Sequence, residues 1–88
     1  MKTIYKYPLP IDNLAEVRMP QGAVVLSIQC QHDKPCLWAL VDADRPMQGR
    51  RFCVRGTGHQ LAGEEGAFIA TFQMHGGALV FHVFEAKS

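Results

Sequence analysis

The chain has 88 residues, and its nine lysines and arginines nearly balance eight aspartates and glutamates, which gives a formal net charge of +1. A chain this close to neutral lacks the strong field by which nucleic-acid and membrane-surface proteins attract their partners. Hydrophobic residues make up 48% and charged residues 19%, as in a folded domain rather than a disordered one. A chain of this length forms one domain with a modest core, which excludes multidomain enzymes.

The same composition sets expectations for compartment and redox state. No apolar run approaches the ~20 residues that span a bilayer, and the opening MKTIYKYPLPID is too polar for a signal peptide. We therefore expect a cytoplasmic protein without a membrane partner. Cys30, Cys36 and Cys53 are odd in number and contain no C-x-x-C pair, so we expect reduced thiols rather than a disulfide framework.

The first half of the chain carries several strand signals. Thr3–Tyr7 is rich in β-branched and aromatic residues and stops at prolines, which is typical of an edge strand. Ala15–Met19 alternates apolar and charged residues, as a strand with one wet face does. Ala23–Cys30 also alternates, and after a four-residue turn over His32–Pro35 the segment Cys36–Val41 is apolar on both faces. In Ala23–Cys30 we expect the following side chains to point inward: Val24, Leu26, Ile28 and Cys30.

The second half continues the pattern. Ala43–Gly49 is interpreted as a loop and Arg51–Arg55 as a strand with a solvated or anion-facing side. Alternation over Phe68–His75, a Gly76-Gly77 turn and the return strand Ala78–Glu85 predict a C-terminal hairpin, because primed turns need positive φ at their central positions. The sequence thus predicts a single all-β domain over residues 1–88, a small antiparallel barrel or sandwich of six to seven strands.

Two predicted strands, Cys36–Val41 and Ala78–Glu85, are apolar on both faces. One face fills the core, and the other needs a second layer that so short a chain hardly supplies. We therefore expect a homo-oligomer, and the loops Ala43–Gly49 and His59–Gly66 are the alternative cover. The expected interface residues are Leu37, Trp38, Phe81 and Val83.

A group of arginines precedes the glycine-containing segment Gly56–His59, which places guanidinium groups near backbone N–H groups that favour anions. The alternative is a solvated face of surface salt bridges with nearby aspartates and glutamates. The segment is not a phosphate-loop motif, because no Gly-Lys-Ser/Thr follows it. The candidate residues for a small anionic ligand are Arg51, Arg55, Thr57, Gly58 and His59.

Few residues in the sequence support a catalytic or metal-binding role. Ser27 and Ser88 are the only serines and neither sits on a strained turn, which argues against serine hydrolysis. Cys53 is the one thiol with arginines on its face, but we expect it to be structural. Cys30, His32 and Cys36 lack the spacing of known zinc knuckles. We therefore predict no catalytic residue, no metal and no cofactor.

Four segments, IYKYPL at 4–9, PCLWALVD at 35–42, GTGH at 56–59 and TFQMHGGALVFHVFE at 71–85, resemble a family of short uncharacterised bacterial and phage proteins. The resemblance implies a small stand-alone protein and transfers no activity or site residue. We expect a non-catalytic binding or interaction module that self-associates. By analogy with small phage proteins, the alternative is an inhibitor of a host protein, or a sponge that uses the arginine- and glycine-rich loop to bind a phosphorylated small molecule.

Overall fold

The computed structural model of the chain describes residues 1–86, so that Ser88, one of its two serines, lies outside the described residues. All of its long elements are strands, as the sequence predicts, and one 3₁₀ turn spans His75–Gly77. The seven strands are β1 Lys2–Pro8, β2 Ala15–Pro20, β3 Val24–Gln31, β4 Lys34–Asp42, β5 Met47–Gly56, β6 Ala67–Met74 and β7 Leu79–Glu85.

The strands form two antiparallel sheets, and over residues 1–86 they do not close into a barrel. Sheet A has the strand order β1-β4-β3, and sheet B has the order β2-β5-β7-β6. In the central strand β4, Leu37, Ala39 and Val41 are at most 1% exposed, so this face is turned to the interior. Trp38 and Leu40 alternate with them and therefore lie on the outer face of sheet A.

Both sheets contribute their inner faces to one hydrophobic core. Leu37 and Val41 enter it from sheet A, and Met19, Phe52 and Val83 enter it from sheet B, all nearly or fully buried. Because every one of these side chains is apolar, the interior leaves few polar groups to satisfy. The chemistry of the molecule therefore lies on the two outer faces and in the connecting loops.

A β-bulge corrects the predicted orientation of β3. The register of β3 against β4 shifts between Val25 and Ser27, so that one extra residue interrupts the alternation. Ile28 is buried as expected, but Val24 and Leu26 are 54% and 50% exposed, so the expectation that they point inward is wrong. A single extra residue reverses the side-chain alternation on one side of it, and the amino-acid pattern does not mark where this happens.

The turn between β3 and β4 is tighter than expected. Gln31 pairs directly with Lys34, so only two residues form the turn rather than the four of His32–Pro35. His32 and Asp33 have φ values of 52° and 61°, the left-handed conformation of a primed hairpin turn. Neither residue is a glycine, which is why the sequence did not indicate this turn.

The tips of the two sheets touch through one side chain. The Asp33 carboxylate accepts a hydrogen bond from the backbone N–H of His75 at 2.9 Å and contacts its Nδ1 at 2.8 Å. Asp33 belongs to the turn of sheet A, whereas His75 begins the connection between β6 and β7 of sheet B. The contact therefore links the β3–β4 turn of sheet A to the β6–β7 connection of sheet B.

Candidate functional site

Four of the five residues predicted to bind an anion line one cleft. The cleft has a volume of about 190 Å³ and lies on the outer face of sheet B, between the turn after β5 and strand β7. It is lined by Arg55, Gly56, Thr57, Gly58, His59, Leu61, His82 and Phe84. Arg51 does not line this cleft but two other depressions.

The wall of the cleft is a tight turn over Gly56–His59. The His59 N–H donates to the Gly56 carbonyl at 3.1 Å, and Gly58 has a φ of +86°, as the third position of a type II turn requires. A Cβ on Gly56 would stand 2.9 Å from Cε1 of His59. Glycine at this position therefore lets the imidazole of His59 lie against the backbone.

His82 is a cleft residue that the sequence interpretation did not select. Its Nε2 lies 2.7 Å from the Thr57 hydroxyl and its Nδ1 lies 2.8 Å from the Thr71 hydroxyl. The Thr57 hydroxyl also lies 3.4 Å from the Val80 carbonyl, to which it donates. With the Thr57 hydroxyl donating to Val80, all three contacts are satisfied when Thr57 accepts from Nε2–H and Thr71 donates to Nδ1. The imidazole is thereby held in one orientation, and the only signal in the sequence was the cross-strand pairing of Thr71 with His82.

Arg55 holds the loop beside the cleft. Its Nη1 donates to the Asn13 carbonyl at 3.1 Å, and its Nε lies 3.5 Å from the Glu65 carboxylate. That carboxylate is 5% exposed and accepts hydrogen bonds from the N–H groups of Ala62 and Gly63, each at 2.9 Å. The hydrogen bond from Ala62, followed by that from Gly63 and by Arg55, lowers the pKa of Glu65 below its ordinary value.

Arg50 and Arg51 differ from Arg55 and from each other. Arg50 forms a two-pronged contact with Glu85, with Nε to Oε2 at 2.7 Å and Nη2 to Oε1 at 2.8 Å, and it also donates to the Ala23 carbonyl. The hydrogen bond to Glu85 raises the pKa of the Arg50 guanidinium. Arg51 is exposed and lies opposite Glu16 across the β2–β5 pair.

The thiols are free but covered. Cys36 and Cys53 are 7% and 5% exposed, and Cys30 is partly buried. Burial raises the pKa of the Cys30 thiol, which disfavours its reactive thiolate form. Within residues 1–86 no group of three or more histidines, cysteines, aspartates and glutamates is arranged to hold a metal ion.

A second feature lies on the outer face of sheet A. Ile4 and Val24 flank Leu40 in one cross-strand row, and Leu26 at the bulge and Trp38 lie beside it. Ile4, Val24 and Leu26 are 55%, 54% and 50% exposed. We call these five residues the apolar face of sheet A.

The four residues predicted to form an interface lie in two different places, the apolar face of sheet A and the core. Trp38 belongs to the apolar face, whereas Leu37 and Val83 are completely buried and face the opposite way. Phe81 packs against the core and lies 5.5 Å, ring centre to ring centre, from Phe72. Because strand alternation sends neighbours to opposite faces, only Trp38 of the four is placed to meet a partner there.

None of the described residues belong to a helix with the length and apolar character that crossing a membrane requires. No curated protein matched the chain. No solved structure matched it either. The predicted resemblance to a family without an assigned activity is confirmed, because the chain matches one over residues 1–88 and belongs to the DUF7352 family, a domain of unknown function.

Proposed function

We propose that the protein is a non-catalytic interaction module that associates with a second copy of itself through the apolar face of sheet A. The observation that carries the proposal is the row Ile4–Leu40–Val24, in which both outer residues are more than half exposed. The core shared by the two sheets supports a small two-layer sandwich, so this row has its own core beneath it and solvent above it. Contiguous exposed apolar patches on monomeric proteins are often functional interaction sites.

The charged border of the face supports association by the face rather than by the sheet edge. Lys2 and Lys6 lie on the exposed edge strand β1, which ends at Pro8. Lysine and proline on an edge strand oppose pairing with another strand. Lys6 Nζ also donates to Gln31 Oε1 at 2.7 Å, and this polar contact borders the apolar face on the side of Trp38. The apolar surface is thereby confined to the half of the sheet around Leu40.

The size of the face predicts a reversible dimer. The whole outer face of three strands about 4.8 Å apart and about seven residues long covers roughly 330 Å², and the apolar face is only part of it. A standard stable interface buries about 800 Å² on each partner. An apolar contact below that size supports a weak, reversible association rather than a permanent dimer. A two-fold pair is the expected symmetry, because it lets the same patch cover itself.

Sedimentation velocity over a dilution series tests the proposal. We expect the wild type to change from dimer to monomer as its concentration falls, and Val24→Lys to remain a monomer because it places a charge in the buried row. Met47→Lys is the matched control, since Met47 is 51% exposed and lies on sheet B. It should dimerise as the wild type does.

The fluorescence of Trp38 provides a second measurement of the monomer–dimer equilibrium, because Trp38 is the only tryptophan in the chain. Its emission should shift to shorter wavelength as the wild type is concentrated, and should stay constant for Val24→Lys. A wild type that remains monomeric at high concentration, with constant Trp38 emission, would show that the face is not a self-association surface. Equal loss of dimer in Met47→Lys would place the interface elsewhere.

A further inference from the structure

The cleft on sheet B combines apolar walls with a small number of polar groups. Leu61, which is 49% exposed, and Phe84 supply the walls. Phe84 is itself fixed by an edge-on contact with Phe68 at 5.7 Å between ring centres. Sites for small organic molecules have this character, in which apolar surface supplies binding energy and a few polar groups fix the orientation.

The polar groups of the cleft are held in place before any ligand arrives. Both ring nitrogens of His82 are engaged by Thr57 and Thr71, so His82 presents its carbon surface to a ligand rather than its nitrogens. A flat apolar group packs well against such a surface. The site therefore favours a ligand with a planar body over one that needs hydrogen bonds from the imidazole.

A positive charge stands at one end of the cleft. Arg55 uses Nη1 for the carbonyls of Asn13 and Val54 and has Nε near Glu65, whereas its Nη2 makes no hydrogen bond to residues 1–86. The Gly58 N–H on the adjoining turn likewise has no hydrogen-bond partner within that range. A guanidinium N–H and a backbone N–H on neighbouring segments are the donors that a carboxylate accepts.

We propose that this cleft binds a small organic carboxylate with a planar apolar body, the carboxylate facing Arg55 and Gly58 and the body lying between Leu61, Phe84 and His82. The charged or titratable groups around the site are Arg55, His59, His82 and Glu65. Because Glu65 already offsets part of the Arg55 charge, one negative charge on the ligand suits the site better than the two of a phosphate monoester.

The volume limits the size of the ligand. A space of about 190 Å³ equals roughly six water molecules, at about 30 Å³ each. A single-ring acid such as benzoate matches this scale, and the cleft is open enough for part of it to remain in solvent. For a ligand so small we expect a dissociation constant on the order of 1 mM.

Nuclear magnetic resonance of the histidine ring protons tests the proposal with benzoate as the probe. We expect saturable shifts of the His59 and His82 signals with benzoate, and none for His32 and His75, which lie on the hairpin connections. Benzamide, the neutral analogue of the same shape, should bind at least about tenfold more weakly because it lacks the charge that Arg55 attracts. Inorganic phosphate is the third probe and represents the phosphorylated class.

Two matched variants locate the ligand. Leu61→Glu puts a repelling charge in the wall and should abolish the benzoate shifts, while Ile11→Glu, at a residue 44% exposed in another loop, should retain them. The proposal is overturned by an absence of saturable shifts, by equal binding of benzamide, or by unchanged binding in Leu61→Glu. Tighter binding of phosphate than of benzoate would show that the ligand class is wrong. The cleft is remote from the apolar face of sheet A, so a failure here leaves the self-association proposal standing.

Discussion

Arg50, Arg51 and Arg55 are close neighbours in the sequence, yet each meets a different environment. Arg50 lies at the edge of the core, where it pairs with Glu85. Arg51 and Arg55 lie on the outer face of β5. Strand alternation could be predicted from the sequence, but the partners could not, because Glu85 and Glu65 lie on distant segments. Of these three arginines, Arg50 thus forms a partly buried ion pair, Arg55 holds the loop beside the cleft, and Arg51 is solvated.

The ion pair between Arg50 and Glu85 is the residue-scale contact on which stability depends most clearly. Its side chains are only 18% and 25% exposed, so Glu85→Gln leaves a partly desolvated guanidinium without its carboxylate. We expect a loss of about 2 kcal/mol in the free energy of unfolding, measured by urea denaturation. Glu64→Gln, at an exposed position, is the control and should change stability little. Equal effects of the two substitutions would contradict the assigned role.

At the scale of elements, the loop that follows β5 is ordered by a carboxylate rather than by apolar contacts. Glu65 accepts hydrogen bonds from the N–H groups of Ala62 and Gly63 and lies near Arg55, while Leu61 remains half exposed. The loop therefore positions the cleft wall through one ionised group. Its order depends on that group staying charged.

The lowered pKa of Glu65 makes part of the stability depend on pH. A carboxylate whose pKa is lower in the folded state stabilises the fold above its unfolded pKa, and this contribution is lost as pH falls through the folded value. We expect wild-type stability to decline below about pH 4.3, the ordinary glutamate range, and Glu65→Gln to decline less steeply. Urea denaturation at a series of pH values measures this. Glu16→Gln is the control, and a slope for Glu65→Gln equal to that of the wild type would refute the prediction.

The strand pattern could be predicted from residue alternation, but its irregularities could not. Cys36–Val41 was predicted apolar on both faces, and its outer residues Trp38 and Leu40 do lie on the apolar face of sheet A. The bulge at Leu26 escaped prediction because it depends on how β3 pairs with β4, not on any local residue preference. Only part of the cleft could be predicted from the sequence, because His82 joins it through the pairing of β6 with β7 and not through a local motif.

At the scale of the whole molecule, the two sheets are held by their shared core and by the contact of Asp33 with His75. Three non-glycine residues at this end, His32, Asp33 and His75, adopt positive φ. Such backbone conformations are costly for residues with a Cβ and persist where surrounding contacts enforce them. The Asp33 carboxylate supplies such a contact for His75 through its backbone N–H.

Removal of the Asp33 carboxylate therefore weakens the junction between the sheets. We expect Asp33→Ala to lower the free energy of unfolding by about 1 kcal/mol, a modest value because both side chains are largely exposed. Hydrogen exchange of the backbone amides at residues 75–79 should accelerate more than elsewhere. Asp12→Ala, in an exposed loop, should leave both quantities unchanged, and a uniform acceleration across the chain would speak against a local junction.

The bulge in β3 has a counterpart in β6, whose register shifts between Phe68 and Ala70, and the two strands lie close together as the neighbouring edges of their sheets. A depression of about 300 Å³ runs between them, lined by residues of both. No ladder of backbone bonds crosses this line within the part of the chain that the structure describes. Widening or narrowing along it therefore breaks no interstrand pairing. Along this line the contact between Asp33 and His75 joins one end, and side-chain packing alone holds the rest of the two strands together.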